Sequence, residues 1–395
     1  MKNDFFGFCI PLARFIYIMP DKTSQNVYGW RNKLWAVFMY GLAVFCHLTE
    51  IIKLFQIVTA KYFLLGEFIR NFVITSLHFT SLGKAMFIGG KTGKKAFEKI
   101  LDFEKHVYKN LGDDIRLIYK NKVTSIQKVK KYYLIGIILV VIFYVAAPIF
   151  REPIHIQDGN QTIRFRQVPL SSWSPFEQYY WLTFIWTGLT GIYLSIFFVT
   201  TDLICYSFID FGVCQLEILQ YNIRNFNRDC EEITRVEKCC KIKSARVLQK
   251  KLIRMHQDVI SYVQMINEGM KNLMVLDFLP GSVQLAGMIY QMMTNLSVIQ
   301  CILLGQFICS LIARVFIYSN SANNLSQLSK QLAVDWFEID WTELPKDVTN
   351  NLNFCIMRSQ KNLQITVGDL SVITMESFLT ILKGTYSYLM LLMTI

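Results

Sequence analysis

Between residues 132 and 150 the chain is almost unbroken hydrocarbon, from Tyr132-Tyr133-Leu134-Ile135 through Val140-Val141-Ile142 to Pro148-Ile149-Phe150. A run of that length matches the roughly 20 residues a helix needs to cross the ~30 Å apolar core of a bilayer. In lipid the backbone must satisfy its own hydrogen bonds, so a run like this folds as a helix. It has company. Apolar stretches with charges only at their edges or on one face occur at about 34–58, 68–89, 176–198, 260–293 and 298–319, and a last one at about 370–392. The expected fold class is therefore all-α, a seven-transmembrane-helix membrane protein. The 53% hydrophobic content and positive mean hydropathy fit several spans rather than a water-soluble core.

The intervening segments set the orientation. Of 41 Lys and Arg, 31 fall in 1–33, 90–131, 203–262 and 319–368, and 4 fall in 59–67, 151–178 and 294–297. Positive residues gather on the cytosolic side. The N-terminus is thus expected inside and the C-terminus outside, the reverse of a G-protein-coupled receptor. Neither an Asp-Arg-Tyr after the third span nor an Asn-Pro-x-x-Tyr in the seventh is present. Asn160-Gln161-Thr162 is a glycosylation sequon, and this orientation puts Asn160 on the outer side. The net charge of +12 then meets anionic headgroups, and no nucleic-acid partner is expected. The first span is expected to act as the targeting signal, because residues 1–5 lack a signal-peptide pattern.

Within this frame several local features stand out. A short re-entrant or interfacial helix is expected around 5–18. His47, Glu50 and Lys53 recur three apart on one face of the first span. They suit an interior polar cluster, or more sharply a gating or entrance network. Arg70 and Lys84 are expected to snorkel from the ends of the second span, whose helical period continues through 97–111. The fourth span's period continues through Asp210 to Leu219, so one long helix should leave the bilayer there. Pro280-Gly281 is a candidate kink in the fifth. Thr342 is a possible helix cap, with Pro345 in a first turn. Gly368 is expected to end the next helix, and Asp369 or Ser371 to cap the last. The ten cysteines are scattered and none lies in the long outer loop, so neither disulfides nor a metal is implied.

The last helix repeats Ser377, Ile381, Gly384, Tyr388, Leu391 and Ile395 at spacings of four and three, flanked by Thr380, Ser387 and Thr394. A stripe of small and hydroxylated residues suits a water-filled axis, with Leu391 and Ile395 closing it by dewetting. The same stripe suits close helix packing, and spacing does not choose between them.

The run Arg358-Ser359-Gln360-Lys361, then Gly368, Leu382-Lys383 and Tyr386-Ser387-Tyr388, with Trp336 and Trp341 upstream, resembles the C-terminal signature of insect odorant receptors. Asn362 departs from a common proline, and Thr385-Tyr386 is similar to the related gustatory receptors, whose Gln-Phe ending is missing. The resemblance implies a tuning subunit that forms a heterotetramer with a shared co-receptor. That assembly is an odorant-gated, non-selective cation channel in the sensory-neuron plasma membrane. It implies cytosolic segment 1–33, helices one to six over 34–319, an anchor region at 320–368, and a pore helix at 369–395, with Ser387, Leu391, Thr394 and Ile395 as pore and gate. It also implies a pocket for a small volatile in the outer half, between helices two, three, four and five or six. There this chain offers Phe72, Thr75, His78 and Phe79, then Phe143, Tyr144, Ala147 and Phe150. The later helices offer Trp186, Thr187, Thr190 and Tyr193, with Met288, Tyr290 and Gln291 on the fifth. No cofactor and no enzymatic activity are expected, since the five His residues are isolated and no nucleophile–base motif or phosphate loop is seen. The alternatives are a gustatory-type homotetrameric channel or, further off, a metabotropic receptor or a transporter.

Overall fold

The computed structural model describes residues 4–16, 30–150, 154–158, 161–238, 240–294 and 298–394. Among the described residues seven helices form the bundle: α2 (Trp30–Thr59), α3 (Leu65–Gly89), α5 (Asp113–Phe150), α6 (Tyr180–Arg224), α8 (Lys241–Thr294), α9 (Val298–Phe337) and α11 (Met375–Thr394). The first six carry stretches long and apolar enough to cross a membrane. Four shorter helices, α1 (Cys9–Phe15), α4 (Lys91–Asn110), α7 (Phe226–Glu237) and α10 (Lys346–Ser359), gather at the end of the bundle that holds most of the Lys and Arg, here called the basic end. The opposite, hairpin end carries strands β1 (Ile154–Asp158) and β2 (Gln161–Phe165), antiparallel with Ile154 opposite Phe165.

Length explains the layered shape. α8 has 54 residues, about 80 Å at 1.5 Å per residue, far beyond the ~30 Å of hydrocarbon. Its surplus builds a second layer outside the membrane with the ends of α5, α6 and α9. α6 shows the change of solvent. Near its start Trp181, Leu182, Ile185 and Leu189 are exposed in the single chain, whereas from Phe197 to Leu219 almost every side chain is buried. A helix that is apolar all round belongs in a core, and this one is the axis of the basic-end layer. Phe5 and Phe6 plug the same layer. Lys130 Nζ donates to Phe5 O at 3.0 Å, and Gln127 Nε2 donates to Asp4 O at 2.9 Å and Phe5 O at 2.7 Å.

Several boundaries differ from expectation, each for a local reason. α3 does not run on through 97–111. Gly90 N donates to Phe87 O, the chain turns at Gly90, and α4 starts afresh. Gly93 fits only because a Cβ there would meet the Ile88 and Phe87 carbonyls at 2.5 Å. The helix that carries the third span begins nineteen residues before Tyr132, at Asp113, because Ile115, Tyr119, Val123 and Ile126 keep a buried stripe through the basic segment. Pro148 sits in the last turn of α5 rather than ending it, and α8 passes through Pro280. The helix expected to reach Gly368 stops at Ser359, where Arg358 Nη1 donates to Lys361 O at 3.1 Å. Pro345 is the N-cap of α10, and Thr342 instead turns on Asp340. Gly368, at φ +57°, makes the tight turn between β3 (Thr366–Val367) and β4 (Ser371–Val372) and donates to Lys271 O at 2.8 Å. Neither Asp369 nor Ser371 caps α11. Thr374 does, through a reciprocal pair in which Ser377 N donates to Thr374 Oγ1 and Thr374 N donates to Ser377 Oγ.

Candidate functional site

A cavity lies in the half of the bundle nearer the hairpin end. Each helix contributes one face at helical spacing: Ile74, Leu77 and His78 from α3; Tyr133, Ile137, Val140, Val141, Tyr144 and Val145 from α5; Thr187, Gly191, Ser195 and Phe198 from α6; Phe307, Ser310, Leu311 and Arg314 from α9. Pro169 and Leu170 close it from the outer loop. The loop packs against α6 beside Gly188 and Gly191, where Pro169 and Leu170 lie within van der Waals reach. The loop is pinned in place. Trp173 N donates to Thr49 O at 2.9 Å, Asn71 Nδ2 donates to Ser171 O at 2.6 Å, and Arg70 Nη1 donates to Gln167 Oε1 at 2.9 Å. Arg70 thus reaches a partner at the hairpin end, as a residue near a helix end should. The cavity is mostly apolar with a few convergent polar groups, the usual character of a small-molecule site.

Two buried polar nodes frame it. On one wall Glu50 of α2, fully buried, places Oε1 2.7 Å from His78 Nδ1 and Oε2 3.2 Å from His47 Nδ1. The polar cluster expected on the first span is therefore real for His47 and Glu50, and the partner across the interface is His78. The second node lies below the cavity, toward the basic end. Lys84, expected to snorkel, is instead fully buried between Asp202 at 2.6 Å and Asp277. Arg314 Nη1 stands 2.9 Å from Asp277 Oδ1, and its guanidinium lies over the Phe198 ring. Tyr133 and Tyr318 donate their hydroxyls to Asp202 carboxylate oxygens at 3.1 and 3.2 Å. Two cations and two anions on four helices balance charge, which is how such groups tolerate burial. Tyr133 and Arg314 belong both to this cluster and to the cavity lining, and Asp277 sits on α8, against which α11 packs.

Of the fifteen residues expected around a ligand, His78, Tyr144 and Thr187 line the cavity. Others are elsewhere. Phe72 stacks on Phe68, Thr75 donates to Asn71, and Phe79 stacks on His47 at the bundle surface. Phe143 is exposed, Ala147 is buried outside the lining, and nothing is described of the Phe150 side chain. Trp186 packs on Phe45 and Phe176, Thr190 is buried, and Tyr193 donates to Met39 O at 2.7 Å. Met288 and Tyr290 pack in the core. Gln291 bonds Gly66 O beside a separate cavity lined by Phe63–Glu67, Arg70, Gln167, Gln300 and Leu304. Of the fifth and sixth helices, either of which the resemblance allowed, the sixth, α9, supplies the lining. The signal was present at Phe307, Ser310, Leu311 and Arg314, spaced three, one and three, and the loop pair Pro169-Leu170 carried none.

α11 presents two faces. Phe378, Ile381 and Thr385 are buried, and Gly384 lies against Ser282 of α8, where a Cβ would meet Ser282 Oγ at 3.2 Å. That part of the small-residue stripe serves packing. Thr380, Ser387, Leu391 and Thr394 fall on the opposite side and are exposed in the single chain. Ile395 and Asn160 lie outside the described residues.

Comparison with known proteins gives a consistent answer. A family model described as "7tm Odorant receptor" matches residues 64–386. Odorant receptor 10 of Aedes albopictus is 29% identical over half of this chain and 48% of its own length. Odorant receptor Or2 of Anopheles gambiae is 25% identical over 36% of this chain and 38% of its own. The chain thus aligns with half or less of the length of these curated relatives. Among solved structures, the insect olfactory receptor OR5 of Machilis hrabei in complex with eugenol superimposes with a TM-score of 0.78 at 11% identity, covering 98% of this chain and 97% of that one. That likeness is one of fold, the seven-helix arrangement. With the family match running over most of its length, the chain belongs to the insect odorant receptor family.

Proposed function

We propose that this chain is the odorant-binding subunit of a ligand-gated, non-selective cation channel, assembled with a co-receptor subunit as a heterotetramer in the plasma membrane. The basic end is cytosolic and the hairpin end extracellular, as the 31-to-4 distribution of positive residues supports. The observation that carries the reading is the continuity from cavity to last helix. A small volatile held among Leu77, Val141, Tyr144 and Phe307 touches Tyr133 and Arg314, which are bonded to the charge cluster. The cluster includes Asp277 of α8, and α8 carries α11. Ligand binding favours an arrangement in which the exposed face of α11, with Ser387, Leu391 and Thr394, moves away from a shared axis and the ring of Leu391 side chains opens. The pocket residues are those of the cavity, with His78, Tyr144 and Thr187 retained from the wider set. Exposed Phe337, Phe354 and Met357 at the basic end fit an assembly surface. Voltage-clamp recording from cells expressing the full chain, with and without the co-receptor, tests the proposal. A volatile-evoked cation current that requires both subunits supports it. Equal current from this chain alone would indicate a homotetramer of the gustatory kind.

A further inference from the structure

We propose that Glu50 fixes the proton on His78 so that the cavity wall presents an acceptor, and that the site thereby selects volatiles bearing a hydroxyl group over matched ketones and ethers. This rests on the cavity being the ligand site. Glu50 is fully buried and is not itself part of the lining. A buried carboxylate requires donors, and those within reach on both of its oxygens are imidazole Nδ1 atoms, at 2.7 Å for His78 and 3.2 Å for His47. Each Nδ1 must then carry its hydrogen, which leaves Nε2 of each neutral ring with a lone pair. His47 provides an independent indication. Its Nε2 is buried with no hydrogen-bond partner, a placement far less costly for a lone pair than for an N–H. On His78 the same nitrogen is the one left for the cavity.

Two neighbouring hydroxyls are arranged alike, and a third, that of Tyr133, donates its proton to Asp202. Thr187 donates to Thr183 O at 2.8 Å and Ser310 donates to Phe307 O at 2.7 Å, so each offers only lone pairs to a guest. Arg314 is the cation of the lining; Asp277 holds its Nη1, while its Nε is buried without a partner among the described residues. A hydroxyl oxygen can accept from that donor as well as a carbonyl can, so the discrimination rests on the acceptors. A ligand that brings its own O–H proton meets acceptors, whereas a ketone or ether leaves them unpaired. Leaving buried polar groups unpaired weakens binding by roughly tenfold or more.

The test is dose–response recording from the full chain with its co-receptor, using two paired series: primary alcohols of four to ten carbons against the matching 2-ketones, and para-alkylphenols against their methyl ethers. The hydroxylated members are expected to act at least tenfold lower in concentration. Glu50→Gln offers one amide oxygen and one N–H to two imidazoles, so both rings can no longer be held with the proton on Nδ1, and the preference for hydroxylated ligands is expected to narrow. His78→Phe is expected to erase the preference while keeping the ketone response. Equal potency within pairs, or a preference for ketones in the wild type, overturns the inference, and the wild-type series decides even if neither variant reaches the surface. Silence toward both series with surface expression verified goes further and counts against the receptor reading itself.

Discussion

Lys84→Met is the most informative change to the bundle. The ammonium is completely buried and faces two carboxylates, Asp202 and Asp277, while Arg314 serves Asp277 alone. Removing it takes the cluster from neutral to one uncompensated negative charge. Breaking a buried pair on one side typically costs about 3–5 kcal/mol. Asp202 keeps the Tyr133 and Tyr318 hydroxyls, so the loss should fall near the low end, about 3 kcal/mol. Lys84→Met combined with Asp202→Asn restores neutrality; the new amide oxygen can still accept from Tyr133, and Tyr318 keeps the main-chain carbonyl of residue 202, its acceptor at 2.9 Å. Close, networked groups couple by about 0.5–3 kcal/mol, so the pair should regain about 2 kcal/mol of the loss. The assay is unfolding of purified protein in mixed detergent–SDS micelles, followed by circular dichroism. A double variant no more stable than Lys84→Met would refute the idea that these four charges act as one balanced unit.

The remaining expectations address other parts of the molecule. Leu391→Ser should raise basal current when the subunit is expressed with the co-receptor, and unchanged basal and evoked currents would contradict a pore-facing Leu391. Glu104 on α4 accepts from Asp4 N at 2.8 Å, and burial, with Asp4 nearby, raises its carboxyl to about 7. A carboxyl raised on folding holds more protons in the folded state, so its contribution is full below the unfolded value of 4.5 and fades as pH rises through about 7. Hydrogen-exchange protection of the Asp4–Phe6 amides, corrected for intrinsic rates, should therefore fall between pH 5.5 and 8.5 (roughly the window around that value), and a flat profile would contradict it. Asn160→Gln should abolish a glycan-dependent gel shift of the cell-surface protein, and a wild-type chain insensitive to glycosidase would argue against an external hairpin.

Much of the bundle was legible because lipid allows few solutions. Apolar length located the spans, and the distribution of Lys and Arg suggested which end is which. What escaped were features decided between helices. Lys84 reads as a snorkelling end residue until Asp202, over a hundred positions away, and Asp277 supply its counter-charges. Glu50 reads as a polar residue on its own helix, and only tertiary packing brings His78 to it. The cavity followed the same rule. His78, Tyr144 and Thr187 came from the segments that the resemblance to the odorant receptor family put in the outer half, but Phe79 and Phe143 came with them and lie on the outer surface, and a single sequence does not say which face turns inward. In α11 the small-residue line proved to be two surfaces, with Gly384 drawn to Ser282 while Ser387 and Leu391 stay uncovered.

Cysteine accessibility in the last helix tests the channel reading most directly. In the assembled channel opened by an odorant, Ser387→Cys should be modified by an externally applied charged methanethiosulfonate, with loss of evoked current. Thr385→Cys, on the face buried against α8, should be protected. Modification that leaves the current untouched at Ser387, or equal block at both positions, would contradict a pore lined by the exposed face of α11.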